Sequence, residues 1–458
     1  MDLLAVACLS LAGCLVSYML RWVLEWRSQR CYMLHYECYK GRDEMKLNTG
    51  KCAEVVQRNK NLGLEEYRFL LRTMVSSGIG EETYGPRNVL EGREENPTLP
   101  DALSEMDDII FSTTDNLFRR TGVSPSEIDI LVLNVSLFAP APSLASRVIN
   151  RYKMRDDIKC YNLSGLGCSA SVISIDLVQR LFKTCKNSLA LVVSTETMGP
   201  HWYCGKNRSM MLSNCLFRAG GSSVLLTNDP RRKNKAIMRL KTVVRAHVGS
   251  DDDAYSCCIQ MEDKEGYQGF LLTKYLKNAA AKALTKNLQV LLPKVLPMKE
   301  LLRYAIVRSL KKKTKGESSG GGIGLNLKTG LQHFCIHPGG RAIIEGAGKS
   351  LGLNEYDIEP SRNALHRFGN TSSGGLWYVL GYMEAKKRLR KGDKLLMISM
   401  GAGFESNNCV WDIMKDLDDE NVWTDSIQRY PEAAKVPNPF KEKFDWINDE
   451  TLSSVRIA

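Results

Sequence analysis

The sequence predicts an α/β protein in which a strand–helix–strand unit occurs twice, behind an apolar segment at the N-terminus. Three observations predict it. Ile128-Asp-Ile-Leu-Val-Leu-Asn134 and Ser188-Leu-Ala-Leu-Val-Val-Ser194 read as short buried strands, and a helical pattern lies between them. Gly122-Val-Ser-Pro-Ser-Glu-Ile-Asp-Ile resembles Gly352-Leu-Asn-Glu-Tyr-Asp-Ile-Glu-Pro in the second half. The run from Gly167-Cys168 to Leu191-Val-Val-Ser194 parallels the run from Asn370-Thr-Ser-Ser-Gly to Leu396-Met-Ile-Ser399. Strand, crossover helix and strand in alternation imply a mainly parallel sheet. The 458 residues suffice for one two-lobed domain or two similar ones.

Composition sets broad limits. With 43% hydrophobic and 25% charged residues the chain is an ordinary globular one. A net charge of +12 favours anionic partners, phosphates or a membrane surface, without choosing between them. No nucleic-acid partner is expected. None of the 14 cysteines forms a Cys-x-x-Cys pair, and Cys257-Cys258 are adjacent, which points to a reducing compartment rather than a disulfide scaffold or zinc site.

In chain order, Leu3 to Leu24 is almost wholly apolar, with Arg21 its only charge, and is long enough to span a bilayer. Met1-Asp2 offers no basic n-region, so the run reads as an anchor and not a cleaved signal. Arg21, Arg27, Arg30, Lys40 and Arg42 lie at or beyond its far end, which leaves the body of the protein in the cytosol. Residues 25–65 are polar and weakly patterned and read as a linker or surface arm. Ala102 to Arg120 carries a helical apolar stripe, followed by a stop at Gly122 and the strand to Asn134. After a Gly-rich turn, Cys168 opens the next helix; there Ile175, Val178 and Phe182 share an apolar face, and Asp176, Arg180 and Lys183 a wet one.

Residues 255–330 do not fit the repeat. Ala279 to Leu310 holds apolar runs that end in Lys311-Lys-Lys-Thr-Lys315, which suits either a segment dipping into lipid headgroups or a core helix with a solvated charge run. Gly316 to Gly322 is a flexible loop. Leu331 to His337 is strand-like, and Pro338 follows as a favoured first helical residue. The organisation read from this is an anchor (1–24), an arm (25–65), two halves (66–254 and 331–415), a connecting and possible membrane-facing segment between them (255–330), and an acidic C-terminal tail (416–458).

Three residues carry potential chemistry. A thiol at a helix N-terminus faces unpaired N–H groups and the positive end of the dipole, both of which favour the nucleophilic thiolate of Cys168. His337 and Asn370 also sit at junctions leading into helices, and such junctions gather on one side of a sheet. Thiolate, imidazole and amide together suit acyl transfer. His333, Cys335 and His337 alternate along one strand, but no carboxylate or fourth ligand has an evident place, so no metal is expected. Pattern alone makes His247 and His366 satisfied buried histidines.

Glu81-Glu-Thr-Tyr-Gly-Pro86, Asn162-Leu-Ser-Gly-Leu-Gly-Cys168-Ser-Ala and Asn214-Cys-Leu-Phe-Arg-Ala-Gly-Gly221 then occur in order. His333-Phe-Cys-Ile-His-Pro-Gly-Gly-Arg341 and Leu365-His-Arg-Phe-Gly-Asn-Thr-Ser-Ser373 follow them. Across residues 65–415 the chain resembles the plant 3-ketoacyl-CoA synthases, membrane-bound condensing enzymes of very-long-chain fatty acid elongation related to chalcone synthase. The resemblance implies the thiolase fold, a duplicated five-layer αβαβα structure, with an N-terminal transmembrane helix and a body that is usually dimeric. It implies that Cys168 carries the acyl group from acyl-CoA, and that His337 and Asn370 bind the malonyl thioester and stabilise the enolate as CO2 leaves. It extends active-site roles to His247, His333 and His366, and an oxyanion role to the backbone N–H groups of Cys168 and Gly403. No cofactor is implied beyond the substrates acyl-CoA and malonyl-CoA. Residence in the endoplasmic reticulum membrane is implied, with a second synthase copy or paralogue and the other elongase subunits as partners.

The chain departs from the family's usual pattern at several places. It has one apolar N-terminal segment where two are usual, Ser171 for Gly, Pro338 for Ala, Gly374-Gly375 for a serine pair, and Glu405 for Lys. These departures motivate a second reading, a weakly catalytic paralogue that binds and regulates an active synthase. A type III polyketide synthase is the third.

Overall fold

The computed structural model describes residues 31–313, 324–431 and 437–449, with positions 12, 13, 16, 19 and 20 ahead of them. The proposed anchor therefore lies largely, and the Gly316–Gly322 loop wholly, outside the described residues. No described helix is long and apolar enough to cross a membrane.

The described strands are β1 (Tyr32–Cys38), β2 (Ile130–Asn134), β3 (Lys159–Leu163), β4 (Leu189–Thr195), β5 (Gly221–Thr227), β6 (Met238–His247), β7 (Cys258–Glu262), β8 (Gln268–Leu272), β9 (His333–Ile336), β10 (Lys394–Gly401) and β11 (Glu405–Ile413). Nine of them form one sheet in the order β3-β2-β4-β5-β1-β6-β11-β10-β9. The order is nearly palindromic about the β1·β6 junction. β4 and β10 correspond as the strands that follow the two repeated helices, and β5 and β11 as their antiparallel neighbours.

The sheet is mixed, which corrects the expectation of a mainly parallel one. Only β2·β3, β2·β4 and β9·β10 run parallel. β10 and β11 are separated by residues 402–404 alone, too short a link for a crossover, so the chain must turn back antiparallel.

The reading of residues 25–65 as an arm is also corrected. β1 lies in the middle of the sheet, and Met33 and Cys31 are fully buried. His35 and Glu37 hid it by interrupting the apolar pattern; Glu37 is held by His35 at 2.9 Å and by Arg120 at 3.2 Å. The helix α1 (Thr49–Arg58), with Asn48 as its cap, then packs Cys52, Ala53 and Val55 into the core beside α2 (Leu64–Ser77).

Strand alternation sorts the core into layers. On β2, Ile130 and Val132 enter a central cluster, while Leu131 and Leu133 enter an outer one with α3 (Leu99–Thr121) and α4 (Leu144–Tyr152). The central cluster holds α5 (Ala170–Leu181) through Val172, Ile175 and Val178. On β10, Leu395 and Met397 face that same centre, while Leu396 and Ile398 face a second outer cluster. That cluster contains α6 (Leu276–Val295), the corner to α7 (Met298–Lys313), and α8 (Arg341–Leu351). Behind it run α9 (Glu355–Phe368) and α10 (Gly375–Ala385), the latter buried along its whole length in the centre. In section the order is helix, sheet face, helix, sheet face, helix.

Two smaller readings change, and for α6 one of two open readings is decided. Asp176 is not on a wet face: it is buried and paired with Arg180 at 2.9 Å and Arg245 at 3.6 Å. α6 is a core helix, tied down by the Asn287 amide donating to the carbonyls of Val244 and Ser406. The described residues after 415 contribute to the core rather than forming only an acidic tail: Trp423 and Ile427 enter the central cluster, and Phe440 and Phe444 close the cluster under α1 and α2.

Candidate active site

The first element of the site is a turn that only glycine fits. Gly167 sits at φ +58°, and a Cβ there would lie 2.5 Å from the backbone nitrogen of Ala402. A Cβ on Gly401 would lie 2.6 Å from the carbonyl of Leu166. Two loops, one from each half, thus interlock through absent side chains. This fixes Cys168 in the 3-10 turn Gly167–Ser169 ahead of α5, against the end of β10. The Ser399 hydroxyl donates to the Cys168 carbonyl at 3.3 Å.

The thiol does not behave as the helix-terminus argument expects. Burial pushes it up to about 12; the Ser372 hydroxyl and then the Asn370 amide and its own backbone N–H favour the thiolate, while the Glu196 charge opposes it. Burial is the largest of these influences and opposes the thiolate.

His337 follows β9, with its backbone N–H donating to the carbonyl of Ile398. The helix expected at Pro338 starts instead at Arg341, because Pro338-Gly339-Gly340 turns first and Gly340 takes φ +148°. The ring is buried, neither nitrogen has a hydrogen-bond partner in the protein, and burial holds it down at about 4. It is a neutral imidazole with an unused donor. Asn370 is held at both ends: its Oδ1 accepts from the Ser372 N–H at 2.9 Å, and its Nδ2 donates to the Gly339 carbonyl at 3.3 Å.

Cys168, His337 and Asn370 line one cavity of about 500 Å³. Arg208, Lys274, Lys277 and Arg341 stand exposed on its open side, and no Asp or Glu lines it. Cys168 is also part of the wall of a second cavity of about 280 Å³, with Glu196, His201, Trp202, Ser372 and Gly403. The nucleophile candidate therefore stands between two chambers.

Three of the histidines given active-site roles by the resemblance are not brought to this place, and none of them lines either cavity. His333 is at the opposite end of β9 and bonds Asp393 at 2.9 Å. His366 bonds the Tyr430 hydroxyl and the Pro437 carbonyl and packs over Gly80. His247 is exposed, not buried; its Nδ1 accepts from the Gly249 N–H at 3.0 Å, and it backs Gly403 from outside both cavities. Sequence reasoning missed Glu196, which is buried, accepts from the Ser136 and Leu137 N–H groups, and is pushed up by burial. It also missed Ser372, although this serine lies inside the quoted Asn370 motif.

The family described as FAE1/Type III polyketide synthase-like protein matches residues 23–314, and the C-terminal domain of chalcone and stilbene synthases matches 331–412. The chain is 76% identical to 3-ketoacyl-CoA synthase 19 of Arabidopsis thaliana over 100% of both chains. It is 51% identical to 3-ketoacyl-CoA synthase 12 of the same plant over 93% of each. The chain belongs to the 3-ketoacyl-CoA synthase family. In fold it is similar to the C-terminal type III polyketide synthase domain of Steely1 from Dictyostelium (TM-score 0.65, 16% identity, covering 84% of this chain and 99% of that one). CsyB complexed with CoA-SH gives the same TM-score at 16% identity, covering 84% and 100%. These establish a thiolase-like, chalcone synthase-type α/β fold.

Within the synthase family's frame, the departures at Ser171, Pro338, Gly375 and Glu405 have local partners. The Ser171 hydroxyl accepts from the Trp377 indole at 2.8 Å, joining α5 to α10. Pro338 and Gly375 answer each other: a Cβ on Gly375 would lie 3.0 Å from the proline ring and 3.4 Å from Nδ1 of His337. Glu405 is buried and accepts from the Ser169 hydroxyl at 2.8 Å, at the N-terminus of α5. Neither Ser171, Pro338, Gly375 nor Glu405 lines either cavity.

Proposed function

We propose that this synthase condenses malonyl-CoA with a long-chain acyl-CoA held as a thioester on Cys168, the first step of very-long-chain fatty acid elongation. The observation that carries the reading is the buried His337, with both ring nitrogens unpaired, in one cavity with Cys168 and the Asn370 amide. The four cations on the open side suit the phosphates of CoA. In the first half-reaction the Cys168 sulfur attacks the acyl thioester carbonyl, the thiol proton ends on the departing CoA sulfur, and the acyl group stays on Cys168. In the second, the malonyl thioester oxygen accepts from His337 and Asn370. The bond to the carboxylate breaks, CO2 leaves with neither electron of that bond, and the pair forms the enolate. The enolate carbon attacks the Cys168 thioester and expels the Cys168 thiolate, giving a 3-ketoacyl-CoA two carbons longer. Donors aimed at a developing oxyanion are worth most in a buried site, so no strong base is required. No cofactor enters the scheme.

The enzyme acts from the endoplasmic reticulum membrane with its body in the cytosol, anchored by residues 3–24, as one of two synthase copies that hand product to the other elongase subunits. The departures at Ser171, Pro338, Gly375 and Glu405 do not favour the weakly catalytic reading, since none of them lines either cavity. Microsomes carrying the protein should extend long-chain acyl-CoA with radiolabelled malonyl-CoA, and Cys168→Ala should abolish the product. Absence of product across a broad range of chain lengths would sink the proposal.

A further inference from the structure

The helix α7 faces outward with the wrong side for a soluble surface. Its inner side is fastened: Glu300 is buried, holds Arg303 at 2.5 Å and accepts the Asn326 N–H at 2.6 Å, while Leu301 packs on the outer cluster with α6. On the other side Met298, Leu302 and Ile306 recur every four residues, which sets them in one row. They are 56%, 57% and 60% exposed. Lys299, one position on from Met298, flanks the row and is exposed too, while the exposed Arg303 has its charge paired with Glu300. The sequence adds Arg308, Lys311, Lys312 and Lys313 before the helix ends, and its one acidic residue is the buried Glu300. Isolated exposed apolar residues need no explanation, but an aligned row bordered by cations does.

We propose that α7 lies on the surface of an anionic membrane, with Met298, Leu302 and Ile306 at the level of the acyl chains and the flanking cations among the headgroups. Charge chooses this occupant over a second copy of the chain. A copy would bring its own row of cations against the first, and like charges face to face oppose association. The inference shares with the proposed function the idea that the enzyme works at a membrane, but it does not rest on the anchor at 3–24. Two separate contacts would fix how the body sits on the bilayer, which a single anchor cannot do.

The test uses the full chain reconstituted into phosphatidylcholine vesicles with or without phosphatidylserine, each doped with a phospholipid carrying a photoactivatable acyl chain. Peptide mapping after illumination reads which residues meet lipid. Lipid adducts on 298–307 are expected, increased by phosphatidylserine. The double variant Leu302→Glu with Ile306→Glu should lower them roughly tenfold. Adducts within 3–24 and condensing activity in detergent should be unchanged in that variant, which guards against misfolding. Adducts at 3–24 with none at 298–307 would overturn the proposal and leave the anchor standing; the reverse pattern would overturn the anchor and leave this proposal. Crosslinking of the row to a second copy would overturn it as well.

Discussion

The hydroxyl of Ser372 lies 3.7 Å from the sulfur of Cys168 and 3.4 Å from the Glu196 carboxylate, so its single proton can be donated to either, and one serine stands between the nucleophile candidate and a buried carboxylate. Its donor stabilises the thiolate, and the carboxylate works against it. Alkylation of Cys168 by iodoacetamide, which needs the thiolate, should still be rising with pH at pH 9, because burial pushes the thiol up to about 12. Glu196→Gln removes the opposing charge and should speed alkylation at pH 8, while Ser372→Ala should slow it about fivefold, for a lost hydrogen bond of roughly 1 kcal/mol. Equal rates in all three proteins would refute the coupling.

His337 and Asn370 are expected to serve the second half-reaction more than the first. In His337→Ala and Asn370→Ala, mass spectrometry should still find acyl-Cys168 after incubation with acyl-CoA. Release of CO2 from malonyl-CoA should fall about 10²–10³-fold, the usual effect of removing an oxyanion donor. Because His337 is already neutral down to about 4, lowering pH from 8 to 6 should not remove its contribution through protonation.

Gly375→Ser should perturb the site without touching substrate. The added Cβ meets Pro338 at 3.0 Å, and the overpacking should cost about 1–3 kcal/mol and lower kcat by shifting His337. Pro338→Ala in the same chain reopens the space, so the double variant should recover both melting temperature and kcat. Additive losses would show that the two positions are independent.

Ser171→Ala leaves the Trp377 indole, which is only 1% exposed, without its acceptor. Denaturant titration should show a stability loss of about 1–3 kcal/mol, and activity per folded molecule should hold. A large drop in kcat with unchanged stability would return Ser171 to the list of residues that weaken catalysis.

His366→Ala and His333→Ala should behave as structural variants. Loss of the bonds to Tyr430 and Pro437, or to Asp393, should destabilise by about 1 kcal/mol each and leave kcat/KM within about twofold. For His366→Ala the chain near Pro437 should be cut faster by protease, since the ring ties it to α9.

Much of this was legible in the chain. The strands at 130–134 and 189–195, the helices after Cys168 and Asn370, and the duplication all follow from local apolar period and turn chemistry, which act over a few residues. β1 was not legible. Its His35 and Glu37 look like surface residues until Arg120, about eighty positions later, supplies the charge that lets Glu37 be buried. The aromatic residues after 415 were missed because the helical pieces there span only three to six residues, too short for a period to stand out, so only the core they fill explains them.

By itself, then, the sequence determined the α/β class, the doubled unit and the three residues Cys168, His337 and Asn370, because each is marked by a local junction or a contiguous motif. The tertiary structure alone decided which histidines share a cavity with the cysteine, that Ser372 and Glu196 stand beside it, and that burial is the largest influence on the thiol. Those outcomes depend on desolvation and on distances between segments up to two hundred residues apart, and neither quantity exists until the two halves close on each other.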